Sequence, residues 1–157
     1  MKQANENCIF CKIVKGEIPS VKVYENEKVL AFLDIHPINP GHILVIPKIH
    51  EQDFYNLDDE NYDALMIVVK NLSKLVETKI KPKKVGLIVA GWDVPHAHIH
   101  IVPMYDYHDV TSRSLIEGRQ ANPSSEELKK IDPSLVSDMD TIIDLAEKEK
   151  WDILDTL

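Results

Sequence analysis

The chain has 157 residues, 44% of them hydrophobic and 28% charged. That is enough for one domain with a real core and too apolar for wholesale disorder. The net charge of −8 is uneven, because residues 132–157 hold eight acids against two lysines and the rest is nearly neutral. The body offers no basic stripe to a nucleic-acid backbone, no apolar run approaches the roughly 18 residues that span a bilayer, and residues 1–7 lack a hydrophobic signal region, so a soluble cytoplasmic protein is expected.

In chain order, Cys8 to Lys15 reads as a short turn or helix closed by Gly16 and Pro19. Val21 to Glu25 and Val29 to Asp34 read as two strands about a turn at Asn26-Glu27. Pro37 to Gly41 is a loop, and His42 to Pro47 is a third strand whose run Ile43-Leu44-Val45-Ile46 predicts burial on both faces. A long helix is predicted from about Asp58 to Ile80. Tyr62, Leu65, Met66, Val69, Leu72, Val76 and Ile80 keep helical spacing, Asp58 caps the start and Pro82 stops the end. Val85 to Ala90 is a fourth strand, Gly91 to Pro95 a turn, and His96 to Pro103 a fifth strand. Beyond Met104 a polar loop is expected to run to Gln120. A short helix follows over 123–131, then an amphipathic one from Asp132-Pro133 to about Lys150 with Leu135, Met139, Ile142 and Ala146 on one face.

The fifth strand carries the chemistry. His96, His98 and His100 alternate with Ala97, Ile99 and Ile101. Strand periodicity puts the imidazoles in a row on one face and the small or apolar residues on the other, toward a core. Same-face neighbours on a strand lie roughly 6.5 Å apart, so three of them converge poorly on one metal ion with bonds of about 2.0 Å. Separate tasks along the row fit better, and a neutral imidazole beside a phosphoryl group can attack phosphorus directly.

Pro95-His-Ala-His-Ile-His-Ile-Val102 resembles the motif of the histidine triad family, His-x-His-x-His followed by two hydrophobic residues. The resemblance extends to Cys-Ile-Phe-Cys-Lys-Ile-Val-Lys-Gly-Glu-Ile-Pro at 8–19, Ala-Phe-Leu-Asp-Ile at 31–35 and Asn-Pro-Gly-His-Ile-Leu-Val-Ile-Pro-Lys-Ile-His at 39–50. These four collinear segments span residues 8 to about 103. The resemblance implies an α+β fold: a five-stranded antiparallel sheet, one long helix and a short N-terminal helix. The helical C-terminal extension comes from the sequence pattern alone. Residues 1–103 would form the catalytic domain, and 104–157 would pack on its core or on a partner subunit, since many members are homodimers.

The resemblance also implies function. Members bind purine nucleotides or nucleotide conjugates and cleave at the α-phosphate of phosphoramidates, aminoacyl adenylates or dinucleoside polyphosphates. His98 matches the nucleophile, which forms a nucleotidyl-histidine. His100 matches a phosphate contact that assists the leaving group, and His42 matches a further histidine near the phosphate. Asp34 matches the acid that binds the ribose hydroxyls, which suits an acceptor-only carboxylate. Phe10, Ile13, Leu33 and Ile35 match the positions that sandwich the base. A sister branch transfers the nucleotide to another acceptor, and a nucleotide-binding regulatory protein is the reading outside enzymology.

Cys8 and Cys11, with His50 and His96, supply two sulfurs and two nitrogens, a set suited to tetrahedral zinc. Several family members hold structural zinc this way, with the first triad histidine as fourth ligand. A redox pair and two free buried thiols are the alternatives for Cys-x-x-Cys. The chain departs from the family just before the triad. Many members have Gln-x-Val there, with the glutamine positioning the phosphate; this chain has Trp92-Asp93-Val94. Trp92 is expected to pack over the nucleotide or close the pocket, while Asp93 brings negative charge toward a phosphate site.

Overall fold

Two runs of β-branched and aliphatic residues separated by turn formers build the centre of a sheet. The computed structural model describes residues 4–111. The loop and helices expected beyond Thr111, and with them the division into a domain and its extension, lie outside the described residues. The elements are α1 (Ile9–Val14), β1 (Lys22–Glu25), β2 (Val29–Leu33), β3 (Ile43–Pro47), α2 (Asp59–Ile80), β4 (Lys84–Ile88) and β5 (Ile99–Met104). The strands form one antiparallel sheet in the order β1-β2-β3-β5-β4. This is the α+β architecture the sequence implies.

Alternation sorts the side chains onto two faces. Ala31, Leu33, Ile43, Val45, Ile99 and Ile101 join Leu65, Val68, Val69, Leu72 and Val76 of α2 in the larger cluster. Leu30, Phe32, Leu44 and Ile46 point the other way, to Cys8, Phe10, Cys11 and Ile13 of the α1 segment. Every residue of β2 and β3 is buried, as expected of strands covered on both sides. The β1–β2 turn closes on Asn26, whose Oδ1 accepts from the Lys28 and Val29 amides at 2.9 and 2.8 Å.

Asp58 caps α2 by accepting from the Asn61 amide at 2.9 Å, and Lys81 ends the helix in the left-handed region (φ 55) just before Pro82. The buried stripe of α2 is rotated slightly from expectation: Val68 and Leu75 are buried, while Tyr62 is 38% exposed. A tyrosine in the first turn keeps its hydroxyl in water, and the sheet meets α2 one turn later. A short 3₁₀ turn at Phe54–Asn56 precedes α2. It has no periodicity to announce it.

The fifth strand differs most from the reading by pattern. Ladder pairing begins at Ile99, not His96. The Ala97 amide donates to the Glu51 carbonyl at 2.6 Å, and the His96 amide turns back to the Val94 carbonyl at 2.8 Å. The chain therefore enters the sheet through a bend, while the alternation of faces persists from Ala97 to Ile101. β4 begins one residue earlier and ends two earlier than expected, as suits an edge strand with little buried surface.

Candidate active site and metal centre

The bend at His96 serves a four-residue cluster. Cys8 precedes α1 and Cys11 lies three residues on, so both thiols face one side of the first turn. His50 follows β3, and His96 precedes β5. Cys8 Sγ lies 3.5 Å from His96 Nδ1, Cys11 Sγ 3.6 Å from the same atom, and Cys11 Sγ 3.3 Å from His50 Nδ1. All four candidate ligand atoms fall within 4.8 Å of one another. A tetrahedral zinc with bonds of about 2.3 Å to sulfur and 2.0–2.1 Å to nitrogen places sulfur and nitrogen about 3.5 Å apart. The donor set fits that ion in kind, number and spacing.

The surroundings fit it too. His96 Nε2 donates to the Pro47 carbonyl at 2.8 Å, which leaves the Nδ1 lone pair aimed at the sulfurs. Burial pushes the His96 pKa down to about 4, so the ring is the neutral base a metal needs. Burial also raises the Cys11 thiol. A dication is the natural compensation for thiolates in this dry corner.

One strand step along, His98 is 4% exposed, its ring edge-on to Phe10 (5.3 Å between centroids) and to His100 (5.0 Å). Its Nδ1 lies 2.7 Å from the His96 carbonyl oxygen and must donate to it. The neutral ring then carries its lone pair on Nε2. This histidine belongs to neither group with metal-like spacing.

The second such group is Asp34, His42 and His100. His42, at the head of β3, accepts the Ile38 amide on Nδ1 at 2.9 Å. Its proton therefore sits on Nε2, which donates to His100 Nδ1 at 2.9 Å. Asp34 Oδ2 stands 3.4 Å from His42 Nε2 and 3.7 Å from His100 Nδ1, and Asp34 Oδ1 accepts the His36 amide at 2.8 Å. A nitrogen already holding a proton is no metal donor, so this is a hydrogen-bonded set despite its closeness. His100, accepting on Nδ1, in turn carries its own proton on Nε2. Burial and the neighbouring His98 lower the His100 pKa, against Asp34 and Asp93, which raise it.

Of the positions matched to a base site, Phe10 and Ile13 are buried on the α1 face, Phe10 with its ring against His96 and His98, whereas Leu33 packs into the α2-face cluster. Ile35 and Trp92 stand in solvent, 65% and 90% exposed. Trp92 follows Gly91, whose φ of 65 needs a residue without a side chain. Sequence reasoning missed Asn39 and Asp109, which lie in two segments read only as loops and are joined by a 2.9 Å hydrogen bond.

The HIT domain family model matches residues 15–107. The Bacillus subtilis protein named "Protein hit" is 44% identical over 111 residues, 66% of this chain and 75% of its own. The adenosine 5'-monophosphoramidase of Candida albicans is 39% identical over 112 residues, 66% of this chain and 74% of its own. A crystal structure of a zinc-bound histidine triad family protein from Mycobacterium smegmatis superposes with a TM-score of 0.62 at 28% identity, covering 86% of this chain and 96% of that one. With the histidine row, the sheet and these likenesses in agreement, the chain belongs to the HIT family.

Proposed function

We propose that this protein is a nucleotide hydrolase acting at the α-phosphorus of a nucleoside phosphoramidate or dinucleoside polyphosphate. His98 Nε2 attacks phosphorus; an N–P bond forms and the bond to the leaving amine or phosphate breaks. The Nδ1–H bond to the His96 carbonyl persists through the step and stabilises the positive charge on the nucleotidyl-imidazole. His100 Nε2–H supports the phosphoryl oxygens and the leaving atom, with His42 holding its tautomer. Water then cleaves the N–P bond, releasing a nucleoside monophosphate and restoring the imidazole. Asp34 takes the ribose hydroxyls, and Phe10 and Ile13 border the base. Trp92, exposed on the loop before the triad, would pack over the bound nucleotide.

The observation that carries this reading is the tautomer of His98: a carbonyl takes one nitrogen's proton and frees the other nitrogen as a nucleophile. The name of the Candida albicans relative supports a phosphoramidate as substrate. The test is brief mixing with an adenosine phosphoramidate, acid quench and peptide mass spectrometry. One adenylyl group on the peptide holding His98 is expected, and an unmodified enzyme that still turns over would overturn the assignment. A product bearing added inorganic phosphate would mark transfer rather than hydrolysis.

Cys8, Cys11, His50 and His96 would hold a structural zinc. Its work would be positional, tying α1 to the bend whose carbonyl orients His98. A reducing cytoplasmic setting would keep both thiols available to the metal. A homodimer is the proposed assembly. Among the described residues the outer edge of β4 is unpaired, and Leu87 and Val89 there are exposed. No described helix is long and apolar enough to cross a membrane.

A further inference from the structure

Asp109 lies beyond the matched family segment and in none of the histidine clusters, yet it is 7% exposed. A carboxylate is costly to bury unless donors surround it. Its Oδ2 accepts from the Tyr105 amide at 2.8 Å, the Asp106 amide at 3.1 Å and Asn39 Nδ2 at 2.9 Å. The first two bonds organise its own turn. The third reaches across seventy residues of sequence to the loop before β3. The other hydrogen of Asn39 Nδ2 goes to the Pro103 carbonyl at 2.8 Å, at the end of β5. Both hydrogens of that amide are committed, so the side chain has one orientation.

The backbone around Asn39 is what holds His42. The Ile38 amide donates to His42 Nδ1 at 2.9 Å, and the Asn39 carbonyl accepts from the His42 amide at 3.1 Å. The first amide belongs to the residue before Asn39, and the second carbonyl is Asn39's own. We propose that Asp109 is a positioning residue which, through Asn39, keeps the Ile38 amide on His42 Nδ1 and so keeps the His42 proton on Nε2, facing His100. The turn could be made by a neutral acceptor. The hold on Asn39, an amide from another loop, needs an oxygen acceptor at the same place, which alanine lacks.

The kinetic arm of the test rests on the hydrolase reading; the spectroscopic arm does not. Asn39→Ala and Asp109→Ala are each made in the wild-type protein and in a His42→Ala background. In the wild type either substitution lowers kcat roughly tenfold through misplacement of one group, with KM changed less than about twofold. Combined, they cost no more than either alone. In the His42→Ala background both effects vanish. Nitrogen-15 NMR of the imidazoles shows His42 as the Nε2–H tautomer in the wild type. That signal is lost or averaged in Asn39→Ala and Asp109→Ala, and Asp109→Asn, which keeps an oxygen acceptor, restores it. If Asp109→Ala does not fold, Asn39→Ala and Asp109→Asn carry the test. An unchanged His42 spectrum in folded Asn39→Ala overturns the proposal whatever the enzyme's activity. So do full kinetic effects that survive in the His42→Ala background.

Discussion

Two histidine clusters share one face of the sheet and use the same Nε2–H tautomer to opposite ends. At Cys8, Cys11, His50 and His96, the Pro47 carbonyl takes the His96 Nε2 proton, and the lone pair on Nδ1 turns to the sulfurs. At Asp34, His42 and His100, the Ile38 amide fills the Nδ1 lone pair of His42, and Nε2 is left holding a proton. His98 stands between as the other tautomer, Nδ1–H, and shares with His96 a carbonyl on the protonated nitrogen and a free lone pair on the second one. The side chains are chemically identical, and the backbone partner decides which offers electrons and which offers a proton. A carbonyl behind the ring makes a ligand or nucleophile, and an amide makes a donor.

The sharpest way to break that contrast is at its centre. His98→Ala should lower turnover of an adenosine phosphoramidate by about 10³-fold or more, as removal of a nucleophile does. Binding of adenosine monophosphate, measured by calorimetry, should hold within severalfold. Retained turnover would mean that the free lone pair at Nε2 is not the attacking one.

The metal side yields to acid. The His96 pKa falls from 6.5 to about 4 on burial in the folded protein, so between those values the unfolded chain binds the extra proton and the folded chain does not. The stability tied to this group is whole above pH 6.5 and is lost as pH falls toward 4, by about 3 kcal/mol for a shift of this size. Urea unfolding of chelator-treated protein at pH 7, 5.5 and 4 should show the fall in that window. Zinc-loaded protein should release its ion over the same range, because protons compete for the same nitrogen and sulfurs. Cys11→Ser should carry less than one zinc per chain by elemental analysis; full occupancy would remove Cys11 from the ligand set.

The proton side is expected to weigh less. His42→Phe keeps a ring but removes the donor to His100, and a loss of roughly 10- to 100-fold in kcat is expected, at or below the low end of the effect of a general acid–base group, because His42 acts through His100. Zinc content should not change, because none of the four ligands contacts His42 through any bond described above. A fall in zinc content would show that the clusters are coupled and the contrast too simple.

Much of this was legible in the sequence, and what was not has a common cause. The apolar run Ile43 to Ile46 predicted the two-sided burial of β3, and Asp58 and Pro82 marked the limits of α2, because those signals act over a few residues. The histidine row and Cys-x-x-Cys named residues that the fold does bring together, with Cys8, Cys11, His50 and His96 offering ligand atoms within 4.8 Å of one another. The start of β5 was misplaced because His96 obeys the thiols and the Pro47 carbonyl rather than the ladder. The tautomers depend on Pro47, Ile38 and the His96 carbonyl, whose directions exist only once the chain is folded. The link from Asp109 to Asn39 was invisible for the same reason. Each residue is a good turn former locally, and only the fold brings them to 2.9 Å.

The smallest effect calibrates the others. Ile99 lies between His98 and His100 in sequence but points into the α2-face cluster, with 1% of its surface exposed. Ile99→Val removes one buried methyl-sized group from the back of the row and should cost about 1 kcal/mol, within the usual range of 0.5–1.5. The bonds that set the tautomers run to the Pro47 and His96 carbonyls and the Ile38 amide, none of which rests on that methyl group. Thermal unfolding should therefore shift down by a few degrees while kcat stays within about twofold. A large loss of activity from so small a cavity would mean that the row is held by packing from behind. The division of labour would then belong to the core and not to the backbone partners.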